Sequence, residues 1–303
     1  MLKAEHIRKT YNAGKKVALD DFSIHVPKGS IYGLLGPNGA GKTSFIRIIN
    51  QITQADSGDI FINGNRLNPD HIKDIGYMPE ERGLYKNMSV GDQILYFGEL
   101  KGMSKSDALN EAKKWFDKLN IDQWWKKKLS ELSKGMAQKI QFVVTVLHRP
   151  HLLILDEPFS GFDPVNANLI KDQIIDLKNN GTTIILSTHR MESVEEMCDY
   201  VALINHSKKI IDGRVFDVRE KFKKNIFGVT LSEVDEAKFE NFKGQYDIFN
   251  FTNENNLVSF ELKNESGQND ILMDLVHIGK VRSFDERIPS MNEVFINAVS
   301  NHS

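Results

Sequence analysis

The sequence predicts an α/β protein built on a mainly parallel sheet, followed by a small α+β domain. Three observations predict it. Residues 31–35 (IYGLL), 152–155 (LLIL) and 183–187 (TIILS) are short apolar runs without polar alternation, as in strands covered on both faces. Helical segments lie between these runs, and strands alternating with helices favour parallel pairing. After the basic stretch REKFKKN, residues 219–225, short strands and helices succeed one another in a different order.

The elements follow in chain order. Residues 1–35 read as strands: Ile7, then 17–22 with Ile24 and Val26, alternate in part and are broken by Asn12, Gly14, Pro27 and Gly29. A helix is predicted over residues 42–50, with Phe45, Ile46, Ile48 and Ile49 on its buried face. Residues 89–128 read as helical throughout, with Ser89 and Ser104 as caps. Further helices are predicted over 134–148 and near 165–179. The last part reads as strand 226–231, helix 234–241, strands 246–252 and 256–263, helix 267–276, strand 279–286 and helix 290–300. That βαββαβ order resembles a ferredoxin-like unit. The predicted domains are residues 1–220, with a helical subdomain at about 86–150, and residues 225–303.

Composition bounds the function. Of 303 residues, 40% are hydrophobic, enough to bury a core without disulfides or metals. A net charge of -2 supplies no strong field, and no nucleic-acid partner is expected. The single cysteine, Cys198, excludes a disulfide framework and an all-cysteine zinc site; it reads as a small core residue in a reducing, cytoplasmic setting. The apolar runs at 142–147 and 152–155 are split by His148, Arg149 and Pro150 and fall short of the ~20 residues a membrane span needs. The start, MLKAEHIRKTYNAG, lacks the apolar segment of a signal peptide. The expectation is a chain that is neither secreted nor membrane-spanning by itself.

Three strings carry chemistry. GPNGAGKT, residues 36–43, matches G-x-x-x-x-G-K-[ST] and sits between an apolar strand and a helix. Its glycines let the backbone turn N–H groups toward phosphate oxygens, and the following helix N-terminus adds partial positive charge. Lys42 is placed to reach the β- and γ-phosphates, and Thr43 to ligate Mg²⁺. HLLILDEP, residues 151–158, delivers Asp156 and Glu157 at the C-terminal end of a buried strand, where open α/β sheets bind ligands. Asp156 can hold Mg²⁺ and Glu157 can polarise water. LSKGMAQK, residues 132–139, places Ser133 and Gly135 before a helix, a second anion site. A serine N-cap accounts for Ser133 but not for the whole string.

Together these strings resemble an ABC-type nucleotide-binding domain of the P-loop NTPases over about residues 1–220. GPNGAGKT corresponds to the family's phosphate loop, LSKGMAQ to its LSxGxxQ signature and LILDEP to its Mg²⁺/base strand. SGFDP, residues 160–164, resembles the SGLD loop with Phe162 in place of Leu. His189 in LSTHR, 33 residues after Asp156, resembles the switch histidine, and Tyr11 the aromatic that stacks on adenine. A plain strand aromatic and a core histidine are the ordinary alternatives for Tyr11 and His189.

The resemblance implies an ATPase working as a head-to-tail homodimer, or as a heterodimer with a like subunit. Each ATP would sit on one chain's phosphate loop and the other chain's signature. It implies ATP contacts from Tyr11, Gly36, Pro37, Asn38, Gly39, Ala40, Gly41, Lys42, Thr43 and Ser44. Across the dimer it adds Ser133, Gly135, Gln138 and Asp163. It implies Mg²⁺ at Thr43, Asp156 and Glu80, and catalysis by Glu157, His189 and Lys42. Transport, in the export direction, would run through transmembrane permease subunits on a separate chain, with this chain peripheral on the inner face of the cell membrane. The alternative is an ABC ATPase not coupled to transport; the single cassette, the single cysteine and the lack of a heptad insertion disfavour it.

One departure stands out. Where the family usually has glutamine, this chain has Glu80 in IGYMPEERGLY, flanked by Glu81 and Arg82. PEERGLY resembles a sodium-efflux subgroup of exporter ATPases that carries an extra C-terminal domain. Trp124 and Trp125 before Lys126, Lys127 and Lys128 read as packed aromatics beside a solvated turn. Met78, Met88, Met103 and Met136 read as core or interface fillers.

Overall fold

The computed structural model describes residues 1–81, 83–263 and 268–300. The chain divides into two compact units. One comprises Met1–Val215 with the C-terminal residues from Phe295, the other Phe216–Val294. Arg82, set by the sequence beside Glu80, lies outside the described residues.

The larger unit begins with the antiparallel pair β1 (Leu2–Tyr11) and β2 (Lys16–Val26), followed by β3 (Ile31–Leu35) and helix α1 (Lys42–Ile49). Next come β4 (Ser57–Ile62), the two-residue β5 (Asn65–Arg66) and β6 (Ile75–Met78). Helices α2 (Val90–Leu100), α3 (Lys105–Leu119) and α4 (Lys134–Val146) precede β7 (Leu152–Asp156). Then follow α5 (Pro164–Asn179), β8 (Thr183–Ser187), α6 (Met191–Met197), β9 (Tyr200–Asn205) and β10 (Lys208–Arg214).

These strands form two sheets. The six-stranded sheet has the order β10-β9-β3-β8-β7-β6, and every pairing in it is parallel except β9 with β10. Its three central strands are buried along their whole length, which explains their unbroken apolar runs. The four-stranded sheet, β2-β1-β4-β5, is antiparallel. α1 lies between the two sheets: Phe45 meets Phe22 of β2 edge-on at 4.8 Å, in one core with Tyr32, Leu34 and Ile185.

The helical reading of residues 89–128 is corrected in its last part. α3 ends at Leu119 because Asn120 takes a left-handed conformation, φ 55°. Only the 3₁₀ turn Asp122–Trp124 follows. Trp125 packs edge-on against Phe116 at 5.4 Å and fills the space beside Gly91, where a Cβ would stand 2.5 Å from the indole. Trp124 is buried, and the three lysines after Trp125 are exposed. Cys198 is buried and its thiol is pushed up by that burial. No helix among the described residues is long and apolar enough to cross a membrane.

After α7 (Val215–Lys221), the second unit contains β11 (Ile226–Ser232), α8 (Glu236–Lys243), β12 (Asp247–Glu254), β13 (Leu257–Lys263), α9 (Gln268–Ile278) and β14 (Lys280–Glu286), and the chain continues into α10 (Met291–Ser300). The sheet order is β12-β13-β11-β14 with every neighbour antiparallel, a split βαβ arrangement. Alternate residues Phe227, Val229 and Leu231 of β11 pack with Phe239 and Phe242 of α8 and with Ile271, Leu275 and Ile278 of α9. Asn255 and Asn256, both at positive φ, make the tight turn between β12 and β13.

Candidate functional site

The sheet order determines which loops can meet. β3, β8 and β7 are consecutive parallel neighbours, so the segments leaving their C-terminal ends are one or two strand spacings apart, ~5–10 Å. Those segments carry the glycine-rich loop, residues 188–190 and residues 157–163.

The glycine-rich loop runs from β3 into α1. Its backbone passes so close to neighbouring strands that side chains are excluded. A Cβ at Gly36 would lie 2.2 Å from the carbonyl oxygen of Ile204, and one at Gly41 would lie 2.3 Å from that of Ala18. Both glycines also have positive φ, 146° and 126°. Pro37, Asn38 and Gly39 are exposed, Ala40 and Lys42 are buried, Thr43 is exposed and Ser44 half-buried. α1 has no side-chain cap and no acidic residue in its first turn. Its first N–H groups are therefore left for an anion.

Lys42 Nζ donates to the carbonyls of Gly36 at 2.7 Å and Pro37 at 3.1 Å. Burial lowers the ammonium's pKa, against the pull of the Glu157, Asp156 and Glu80 carboxylates. Asp156 is buried at the end of β7, and burial raises its pKa; Glu80 and Glu157 push the same way and Lys42 opposes them. Burial also pushes the Tyr77 hydroxyl up to about 12, with Asp156 adding to it. Three carboxylates thus share the field of one buried ammonium.

Glu157 follows in a left-handed conformation, φ 50°, with its N–H donating to the Ser187 carbonyl at 2.9 Å. That turn directs its carboxylate to the residues beyond β8. Glu157 Oε1 accepts from the His189 backbone N–H at 2.9 Å and lies 2.7 Å from His189 Nδ1. Thr188 Oγ1 donates to Glu157 Oε2 at 3.2 Å. The Glu157 side chain is 12% exposed and that of His189 69%. His189 is therefore a surface histidine held by a nearly buried carboxylate, and the core-histidine alternative falls.

Ser133 is exposed and caps α4, accepting from the Met136 N–H at 3.3 Å. The helix begins at Lys134, so Gly135 stands inside its first turn rather than before it. Gly135 faces the loop after β7: a Cβ there would be 3.6 Å from the Gly161 carbonyl and 3.7 Å from the Phe162 ring. Gln138, expected to contact ATP across the dimer together with Ser133 and Gly135, is buried at 3% exposure. Asp163 caps α5 and is held by the Asn166 N–H at 3.0 Å and amide at 2.6 Å, which keep its carboxyl below the usual range. Tyr11 ends β1 opposite Lys16, half-buried, with Lys9 Nζ 5.5 Å from its ring centroid. Gly41 approaches the same hairpin at Ala18.

Two further residues join the site. Thr188 holds the carboxylate opposite His189. Gln141, buried on α4, donates to the Pro79 carbonyl at 3.0 Å and so ties the helix that begins at Ser133 to the loop of Glu80. A glutamine set among Ile140, Phe142 and Val143 was the available signal for Gln141. For Thr188 it was the β7–β8 register, which no local pattern displays.

Among the described residues, no group of three or more His, Cys, Asp or Glu can hold a metal ion unaided. Oxygen donors from Asp156 and Glu80 nevertheless fit Mg²⁺. That ion takes one or two carboxylates and fills the rest of its shell with substrate phosphates and water.

The chain is similar to known proteins over both of its parts. Residues 19–160 match the family model described as ABC transporter, and residues 213–299 match the C-terminal domain of ATP-binding proteins like DrrA1-3. The chain is 40% identical over 300 residues to the uncharacterized ABC transporter ATP-binding protein YhaQ of Bacillus subtilis, covering 99% of this chain and 98% of that one. It is 33% identical over 241 residues to the linearmycin resistance ATP-binding protein LnrL of the same organism, covering 78% and 77%. A solved ATP-binding subunit of an ABC transporter superposes with a TM-score of 0.68 at 27% identity, covering 73% of this chain and 93% of that one.

Proposed function

Because the chain belongs to the family of ABC transporter ATP-binding subunits, we propose that two copies hydrolyse ATP at shared sites and so drive export through a separate membrane subunit. The carrying observation is that Lys42, Asp156 and Glu157 share one electrostatic field while Ser133 stands exposed on another element. Export is supported by the likeness to a protein named for linearmycin resistance. The chain would lie on the inner face of the membrane through that partner. Domain limits of residues 1–220 and 225–303 are assigned with this reading.

Each residue has a role in it. Backbone N–H groups of residues 38–44 and the start of α1 bind the phosphates, and Lys42 trades its two carbonyl acceptors for phosphate oxygens. Tyr11 stacks on the base. Thr43, Asp156 and Glu80 hold Mg²⁺, which when bound offsets the phosphate charge. Glu157, fixed by His189 and Thr188, orients the attacking water and takes its proton. Ser133 and Gly135 serve the ATP held by the other copy, and Asp163 lies at the contact between copies. Gln138 supports α4 from inside.

Mixing two variants tests the sharing. Ser133→Arg spoils the partner's site, and Lys42→Ala spoils its own. Each alone should be inactive. At equal mixing, half of the dimers are mixed and hold one intact site each, so about a quarter of wild-type activity should return. Full activity of Ser133→Arg alone contradicts shared sites.

Glu80 is assigned a part in metal binding and in coupling to the membrane subunit. A carboxylate there attracts Mg²⁺ and repels the γ-phosphate, which a neutral amide does not. Glu80→Gln should keep basal hydrolysis within a few-fold and shift the Mg²⁺ concentration for half-maximal rate. An unchanged Mg²⁺ titration contradicts the assignment.

A further inference from the structure

We propose that the second unit carries a binding site for an amphiphilic organic cation, in the groove between α8 and the β12–β13 hairpin. The groove encloses about 510 Å³, within the range of about 300–1,000 Å³ that small-molecule sites occupy. Phe239 of α8 and Phe251 of β12 both line it and stack on each other, with ring centroids 5.8 Å apart and planes 28° from parallel. Phe239 is 5% exposed and Phe251 45%. A large aromatic surface is therefore presented to solvent beside a buried one.

A cation of the chain already occupies these faces. Lys243 Nζ stands 4.8 Å from the Phe239 centroid and 4.8 Å from that of Phe251, inside the distance at which a ring quadrupole attracts positive charge. Its tether is Glu240, 2.8 Å away, in an exposed helical pair, which contributes little. The ammonium sits on a long flexible stem and can swing into water. Three carboxylates, Glu233, Glu236 and Glu240, line the groove against this one ammonium. Glu233 is engaged by Lys280 at 2.7 Å, while Glu236 has no ion-pair partner among the described residues.

The chemistry selects the ligand. A small inorganic cation is strongly hydrated and needs a cage of oxygens, which the groove lacks. An organic cation with aromatic or alkyl surface is weakly hydrated. It buries that surface on the two rings and leaves its charge to Glu236 and Glu240. It would take the position of the Lys243 ammonium.

The test is calorimetric titration of the full chain with tetraphenylphosphonium, and with tetraphenylborate as an anion of the same shape. The phosphonium should bind one per chain and the borate should not. Phe251→Leu keeps an apolar side chain but removes the ring, and should weaken binding about tenfold. Lys243→Met removes the competing ammonium and should strengthen binding several-fold. Both positions are partly exposed, and because they lie in the second unit, an unchanged circular dichroism spectrum and thermal unfolding profile of the full chain verify the fold. Absence of phosphonium binding, equal binding of the borate, or unchanged affinity in both variants overturns the proposal.

Discussion

Glu157→Gln is expected to bind ATP as the wild type does and to hydrolyse it about 10²–10⁴-fold more slowly, the usual contribution of a positioned general base. The substitution exchanges one carboxylate oxygen for an amide of the same shape. The turn at Glu157, set by its backbone bond to Ser187, does not depend on the side chain. The amide oxygen can still accept from the His189 N–H, as Glu157 Oε1 does now, and the amide nitrogen in the place of Oε2 can donate to the Thr188 hydroxyl instead of accepting from it. Ground-state geometry is kept and proton acceptance is lost, so the effect falls on kcat rather than on binding. Single-turnover measurement of phosphate release separates the two. Wild-type turnover in this variant contradicts the assignment of Glu157.

Lys42→Ala is expected to remove ATP binding by about two to three orders of magnitude, the cost of deleting one member of a buried charge pair. Lys42 is held at 7% exposure, and the nearby carboxylates offset the effect of that burial on its charge. Without the ammonium, Asp156, Glu157 and Glu80 meet the triphosphate with no compensating charge from the loop. Two hydrogen bonds to the loop carbonyls are lost as well; Lys42→Met loses them too but keeps the stem, and an unchanged thermal unfolding profile of both variants is the control for folding. Equilibrium binding of a fluorescent ATP analogue measures the loss. Affinity within a few-fold of wild type in both variants contradicts the phosphate role.

Much of this was legible in the sequence because it is written locally. The glycine-rich loop, the acidic end of β7 and the start of α4 are contiguous strings whose residue types have one physical use each. β3, β7 and β8 were legible because burial on both faces leaves an unbroken apolar run. In the second unit, alternation along β13 and most of β11 marks the strands. What was not legible depends on long-range pairing. β5 is two residues long and half of a hairpin, too short for any period. β9 and β10 at the edge of the sheet passed unread. The end of α3 turns on a single left-handed asparagine inside a polar stretch that otherwise continues the helical pattern. The contact of Glu157 with Thr188 and His189 follows from the register that sets Asp156 opposite Ser187. The bond from Gln141 to Pro79 joins residues 62 apart. Gln138 fell to the interior because it stands five residues after the exposed cap at Ser133, which turns it about 140° around the helix axis.

The shared site makes a stoichiometric demand that one experiment reads directly. Light scattering of the Glu157→Gln chain, with and without ATP and Mg²⁺, gives the mass of the complex, and bound nucleotide is counted in the same peak. Two chains holding two ATP molecules, falling to single chains when ATP is withheld, is the predicted result. Single chains that retain ATP at saturating nucleotide would contradict the account, because Ser133 would then have no γ-phosphate to serve.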